Sequence, residues 1–377
     1  MRFMRIELHN WKNFLAVNVP LEQRVFLVGP NAVGKSNFLD AFRFLRDIAS
    51  PEGGLRRAVQ EPRGGVSLVR SLYARRYPNV VVDADLDIDG DLWGYRIEFT
   101  QDNQKRPVVS KEVVRKNGDI VRQRPGDADA ADSDQLLQTH LEQVNVNKEF
   151  RVLQEALAKT QYLHIVPQIV RDPKRYQGGP EDPFGGDFLE QLARTPAKTL
   201  DSRLKRITDA LRVAVPQLTS LILERDAGGR PHLKGLYEHW RPKAGWQNET
   251  QLSDGTLRLL GLLWKLLDGS APLLLEEPEL SLHPAVVRHI PAMMARVTRR
   301  SGRQILVSTH SADLLADEGI APEEVLLLTP SSEETHVTLA SSDAEIVALL
   351  EGGAAMADAV LPRTAPPQAR QLALFAD

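Results

Sequence analysis

A chain of 377 residues, 42% hydrophobic and 26% charged, has room for one large or two ordinary domains around a substantial core. It contains no cysteine, which excludes disulfides, thiolate metal sites and a cysteine nucleophile. A net charge of −3 excludes a uniformly basic nucleic-acid coat.

The N-terminus, MRFMRIELHNW, alternates like a strand over residues 2–9 and lacks the apolar core of a signal peptide. A second strand, residues 24–28 (RVFLV), runs directly into a glycine-bounded loop, and a helix is expected from about Ser36 to Ala49. Six arginines (Arg56, Arg57, Arg63, Arg70, Arg75 and Arg76) then lie between Leu55 and Asn79 against the single acid Glu61. Residues 80–88, 93–99 and much of 108–115 alternate with period two, the pattern of a small antiparallel sheet with one wet face. A second basic stretch runs from Lys105 to Arg124 and is followed by DADAADSD. Each basic stretch reads either as a solvated face or as a contact for a nucleic-acid backbone. Residues 126–134 are expected to be a polar linker, and about 135–223 mostly helical apart from the loop RDPKRYQGGPEDPFGG. After a helix at about 254–268 come the strand LLL of 273–275, a helix from about His283, the strand QILVST, and closing strands at 325–328 and 335–339. The run LRLLGLLWKLLDGSAPLLL is interrupted by Lys265 and Asp268, so no membrane span is expected and a cytoplasmic location follows. Beyond Gly352 the chain is rich in Ala and Pro and is expected to be a flexible tail (352–377).

The strongest chemical signal is GPNAVGKS, Gly29 to Ser36, a full G-x-x-x-x-G-K-[ST] match between a strand and a helix. In such a loop the backbone N–H groups of Gly29, Pro30, Asn31, Ala32, Val33, Gly34, Lys35, Ser36 and Asn37, proline excepted, curl round phosphates at a helix N-terminus. Lys35 would reach the β- and γ-phosphates, and Ser36 would ligate Mg²⁺. The second signal is LLLEEPELSLHP, residues 273–284. Clustered acids at the end of a buried apolar strand resist dehydration unless a cation meets them. A nucleotide-bound Mg²⁺ supplies it, so Glu276 is expected to hold the metal and Glu277 to orient and deprotonate the attacking water. QLSDGTLRLL places Ser253 and Gly255 at a helix start with Arg258 one turn in, a further anion site suited to the γ-phosphate held by a second copy. His310, at the end of ILVST, is placed to touch the γ-phosphate and the attacking water; a structural histidine is the alternative.

These ordered motifs resemble the ABC-type ATPases of the RecF, SMC and OLD branch, over residues 1–50 and 250–330. IELHNWKNF resembles that branch's first hairpin, LSDGTLR its signature motif, LLLEEPELSLHP its Walker B and D-loop, and STHS its switch histidine. The resemblance implies an α/β P-loop head with a mixed central sheet, flanking helices and a small antiparallel β-subdomain. The head is expected to be discontinuous (1–125 and 250–340), with a mostly helical lobe (126–249) inserted between Walker A and the signature. It also implies ATP and Mg²⁺ as cofactors, and two heads closing face to face as a homodimer through ATP. Lys12 and Asn13 fall where the branch contacts nucleotide. Gln168 matches a Q-loop residue that senses Mg²⁺, with a buried glutamine bonded to backbone as the alternative. Ser281 and His283 lie in the D-loop, and His283 before Pro284 reads equally as a helix start. The chain departs from the pattern at Glu276, where an aspartate is usual. SMC coiled coils are absent, and the 49 residues after Leu328 are too few for the TOPRIM nuclease of OLD enzymes, so any nuclease is expected on another chain.

Gln371 to Phe375, QLALF, resembles a bacterial sliding-clamp-binding peptide, with Gln371, Leu372, Leu374 and Phe375 as its contacts; an apolar end packed on its own domain is the alternative. Two functional readings follow. One is an ATP-hydrolysing, RecF-like ATPase acting in DNA maintenance or repair by gated engagement of DNA or a partner. The other is an anti-phage defence or toxin-type sensor controlling a separately encoded effector nuclease. A transporter subunit is disfavoured by LSDGT in place of LSGGQ.

Overall fold

The computed structural model describes residues 1–74, 77–172, 182, 184–240 and 245–365. It divides into two compact units: residues 1–161, 270–274 and 298–377, and residues 162–269 and 275–297.

The first unit opens on a hairpin, Arg2–Trp11 with Phe14–Pro20, joined across Lys12 and Asn13. The turn is tight, and Lys12 takes φ 52° to make it. This hairpin starts a six-stranded antiparallel sheet that continues through Val80–Ile88, Asp91–Gln101, Pro107–Lys116 and Asp119–Arg124. Its period-two alternation buries one face, and the helix Lys35–Ala49 supplies matching aromatics. Phe3 meets Phe42 edge-on at 4.8 Å, and Phe44 lies 5.1 Å from Trp11 and 5.3 Å from Phe99.

A second six-stranded sheet has the order Thr335–Leu339, Val325–Pro330, Arg24–Val28, Ile305–Thr309, Leu273–Glu276, Gln161–Leu163. Arg24–Val28 runs parallel to the strands on both sides of it, and Thr335–Leu339 is antiparallel to its neighbour. Leu27, Leu273 to Leu275 and Leu306 are wholly buried, as continuous apolar runs require in a parallel sheet covered on both faces. The strands Leu273–Glu276 and Gln161–Leu163 open in this unit and carry the chain into the second.

The second unit holds the helices Phe188–Arg194, Ala197–Ala214 and Asp254–Leu267. It also holds a three-stranded antiparallel sheet, Leu218–Arg225, Pro231–Tyr237 and Trp246–Asn248. The sequence reading gave this region to a helical lobe at 126–249, whereas the compact unit comprises 162–269 and 275–297. The sheet forms because Asp226 closes a turn, its Oδ1 accepting from the N–H groups of Gly228 and Arg230, with Gly229 at φ 80°. Leu218, Leu221 and Leu233 are then buried.

Three further expectations differ from what is seen. Residues 126–134, expected to be a linker, contain the helical turn Asp127–Ala131 and lead into another at Ser133–Leu137. The cause is Arg124, buried at a strand end, which pairs with Asp129 and donates to the carbonyls of Gln135 and Gln138. Within the expected flexible tail, Met356–Thr364 is a helix that buries Met356, Ala359 and Val360, and Arg363 pairs with Asp343 and Glu345. Gln371, Leu372, Leu374 and Phe375 lie outside the described residues, as do Arg75 and Arg76. Part of the basic stretches is spent on internal pairs: Arg63 on Asp40 and Asp47, Arg57 on Glu61, Arg106 on Asp102, Arg115 on Asp83 and Asp85, and Lys116 on Asp91. Paired charges contribute little net field for a nucleic-acid backbone.

Candidate functional site

Arg24–Val28 delivers the chain into the loop 29–34, and the helix Lys35–Ala49 leaves it. Two residues of the loop are left-handed, Ala32 at φ 63° and Gly34 at φ 104°. Gly29 is closed in from the side, since a Cβ there would stand 2.7 Å from the Leu328 carbonyl. The helix has no side-chain N-cap and no acid in its first turn, so its N-terminal dipole favours an anion. Lys35 is buried, its Nζ donating to the carbonyls of Gly29 (2.9 Å) and Pro30 (3.2 Å). Its ammonium is therefore held inside the loop.

His310 stands beside this loop. Thr309 is the register partner of Val28 in adjacent parallel strands, so His310 and Gly29 are the next residues out from neighbouring carboxyl ends. His310 is exposed. Ser311 begins the short helix that follows, its Oγ accepting from Leu314 N.

Lys12 and Asn13 are engaged behind the loop. Lys12 Nζ lies 2.7 Å from Asp40, which also meets Arg63 at 2.8 Å. Burial pushes the Asp40 carboxyl up, but Arg63, Lys12 and Arg43 overcome this and hold it below the usual carboxylate range. Asn13 Nδ2 donates to the carbonyl of Val33 (2.7 Å) and to Thr335 Oγ1 (2.8 Å), while its Oδ1 accepts from Asn37 (2.6 Å). Thr335 Oγ1 also donates to the Val33 carbonyl, at 2.8 Å. Thr335 was missed by sequence reading, because nothing local marks a threonine 302 residues from its partner.

The remaining candidates lie in the second unit. Ser253 caps the helix Asp254–Leu267, its Oγ accepting from Thr256 N. A Cβ on Gly255 would stand 2.6 Å from the Ser281 carbonyl, so the helix start lies directly against the loop 277–283. Glu277 (φ 41°) and Ser281 (φ 64°) are both left-handed, a strained arrangement for residues with side chains. Arg258 is half-buried, its Nε without a partner; desolvation lowers its pKa against the charges of Asp254 and Glu277. The Tyr162 phenol, another residue missed from sequence, donates to the Glu276 carboxylate. Gln168 is exposed rather than buried, its Nε2 3.4 Å from Asp254 Oδ2. His283 is the N-cap of Pro284–Val287, Nδ1 accepting from Ala285 N, which is the helix-start reading. Among the described residues no group of three or more His, Asp or Glu could hold a metal ion. No described helix is long and apolar enough to cross a membrane.

A family model described as "AAA domain, putative AbiEii toxin, Type IV TA system" matches residues 24–317. Endonuclease GajA of Bacillus cereus (strain VD045) is 45% identical over 47 residues, a stretch spanning 12% of this chain and 8% of that protein. Among solved structures, an SMC head bound to the C-terminal winged-helix domain of ScpA aligns with TM-score 0.52 and 15% identity, over 90% of this chain and 97% of that one. The SMC head domain of Thermotoga maritima aligns with TM-score 0.46 and 14% identity, over 90% and 99%.

Proposed function

The chain belongs to the family described as "AAA domain, putative AbiEii toxin, Type IV TA system" and is an ABC-type ATPase of the RecF, SMC and OLD branch; from that premise we propose that it hydrolyses ATP and dimerises through it. The observation that carries this reading is the phosphate loop itself: Lys35 seated within it, an uncapped helix start, and His310 at the next strand's end.

Each residue has an assigned task. The amides of 29–37 and Lys35 bind the β- and γ-phosphates. Ser36 and Glu276 are assigned to Mg²⁺ from their motifs, since that ion takes one or two protein oxygens and completes its shell with phosphates and water. Gln168, the Q-loop candidate, is assigned to sensing that ion. When bound, the ion neutralises charge developing on the phosphates. Glu277, at a left-handed backbone position, is assigned to accept the proton of the attacking water. His310 orients that water by hydrogen bonding. Ser253, Gly255 and Arg258 receive the γ-phosphate held by a second copy, Ser253 already sitting at an N-terminal helix turn.

In the cell, we assign this ATPase to a defence or toxin-type system whose nucleotide state controls an effector nuclease on a separate chain. The family's description and the likeness to part of Endonuclease GajA support that assignment over DNA maintenance. The test is affinity purification of Glu277→Gln with ATP from its native cell. A nuclease in stoichiometric amount supports the assignment; duplex DNA or a sliding clamp with no nuclease overturns it.

A further inference from the structure

Behind the phosphate loop, one carbonyl receives two side-chain donors from opposite ends of the sequence. The Val33 oxygen accepts from Asn13 Nδ2 at 2.7 Å and from Thr335 Oγ1 at 2.8 Å. The donors are tied together: Asn13 Nδ2 also donates to Thr335 Oγ1, and Thr335 N donates to the Asn13 carbonyl at 3.0 Å. Asn37 Nδ2 fixes the Asn13 amide by donating to Oδ1 at 2.6 Å, and the Trp11 indole donates to the Asn37 carbonyl at 2.8 Å. Gly34 lies flat on this group, since a Cβ there would stand 2.2 Å from Asn13 Nδ2.

A trans peptide is planar, with its C=O and N–H pointing to opposite sides. Whatever holds the Val33 carbonyl backward therefore turns the Gly34 N–H forward, toward the concave side of the loop. We propose that Asn13 and Thr335 are positioning residues that aim the Gly34 amide at the nucleotide's phosphates by anchoring the Val33 carbonyl. Asn13 then acts through the loop rather than as a direct nucleotide contact. Gly34, left-handed at φ 104° and without a Cβ, gives the 33–34 peptide little intrinsic preference for this orientation, and a carbonyl turned toward a phosphate would repel it. The anchor removes that alternative before ligand arrives, so its contribution belongs to binding rather than to the chemical step.

The inference rests on the reading of residues 29–36 as an ATP site, and the test separates the two. The full chain is assayed for ATP turnover as wild type, Asn13→Ala, Thr335→Val, Thr335→Ser and the double variant Asn13→Ala/Thr335→Val, with each fold checked by thermal melting. Because the carbonyl has two donors, each single loss is expected to raise KM for ATP about fivefold and the double loss more than fiftyfold, beyond the product of the singles. The kcat at saturating ATP should stay within about twofold, and Thr335→Ser, which keeps the hydroxyl, should match wild type. A double variant that binds ATP like wild type, or one that lowers kcat with KM unchanged, overturns the proposal. Should the double variant fail to fold, Thr335→Val against Thr335→Ser decides it by the same KM criterion. A wild-type chain that does not bind ATP sinks the functional reading instead, whatever the variants do.

Discussion

At Gly34 two constraints meet in one residue: a backbone φ of 104° and a neighbour that would stand 2.2 Å from any added methyl group. Gly34→Ala must strain the chain and displace Asn13, at a cost of roughly 1–3 kcal/mol. We expect a melting temperature lowered by several degrees and no binding of a fluorescent ATP analogue; a variant that titrates like wild type would refute the tight fit. Lys35→Ala removes the ammonium held by Gly29 and Pro30 and should abolish the ATP-dependent dimer peak in gel filtration. Glu277→Gln removes the base but keeps the volume. Its hydrolysis should fall roughly a hundredfold or more, while ATP-dependent dimerisation persists. Normal turnover by Glu277→Gln would remove that residue from the mechanism. These residues were legible because their chemistry is written in contiguous sequence. Asn13 was legible as a candidate but not in its task, since its partners Val33, Asn37 and Thr335 come from three other segments.

Among the elements, the helix Asp254–Leu267 shows how far local rules reach. Its cap at Ser253 and its apolar face follow from local rules. Its contact at Gly255 with the Ser281 carbonyl does not, because the loop 277–283 arrives from the far side of a strand. Gly255→Ala must move that loop and with it Glu277. We expect ATP hydrolysis to fall at least tenfold while ATP binding by the phosphate loop is retained, measured as turnover against equilibrium binding. The strand Pro107–Lys116 carries a different liability. Burial pushes the Glu112 carboxyl up to about 7, against hydrogen bonds from the N–H groups of His140 and Leu141 and the Tyr95 phenol, and the charge of Arg124. The folded state therefore holds a proton that the unfolded chain, with an ordinary value of 4.5, releases. Stability from this group is present at pH 4.5 and below and is lost as pH rises to 7, a change of about 3 kcal/mol. Denaturant titrations of wild type and Glu112→Gln should show wild type losing that much relative to the variant between pH 4.5 and pH 8. Equal pH profiles would overturn it.

For the molecule as a whole, the charge pattern read differently once folded. Seen along the chain, the arginines between Leu55 and Asn79 and the run from Lys105 to Arg124 read either as solvated faces or as contacts for a nucleic-acid backbone. Folded, Arg63 and Arg124 are buried, and Arg57, Arg106, Arg115 and Lys116 answer nearby acids. ATP-dependent dimerisation is the prediction at this scale. Wild type with ATP and Mg²⁺ should double its mass in light scattering, with a midpoint that moves with protein concentration, and return to monomer on hydrolysis. A mass unchanged by nucleotide at every concentration would remove the two-copy mechanism.

By itself the sequence determined the phosphate loop, the acid pair after a buried strand, the helix start at Ser253 and the order of these motifs. Each depends on residues a few positions apart, where spacing dictates geometry. Only the tertiary structure decided what Lys12, Asn13, Arg63, Arg124, Tyr162 and Thr335 bond to. A side chain's partner is set by which strands lie side by side, and hydrogen bonds spanning 302 residues leave no periodicity to read. The sheet at 218–248 and the helix at 356–364 were hidden for a related reason: burial against distant segments, more than local propensity, stabilises short elements.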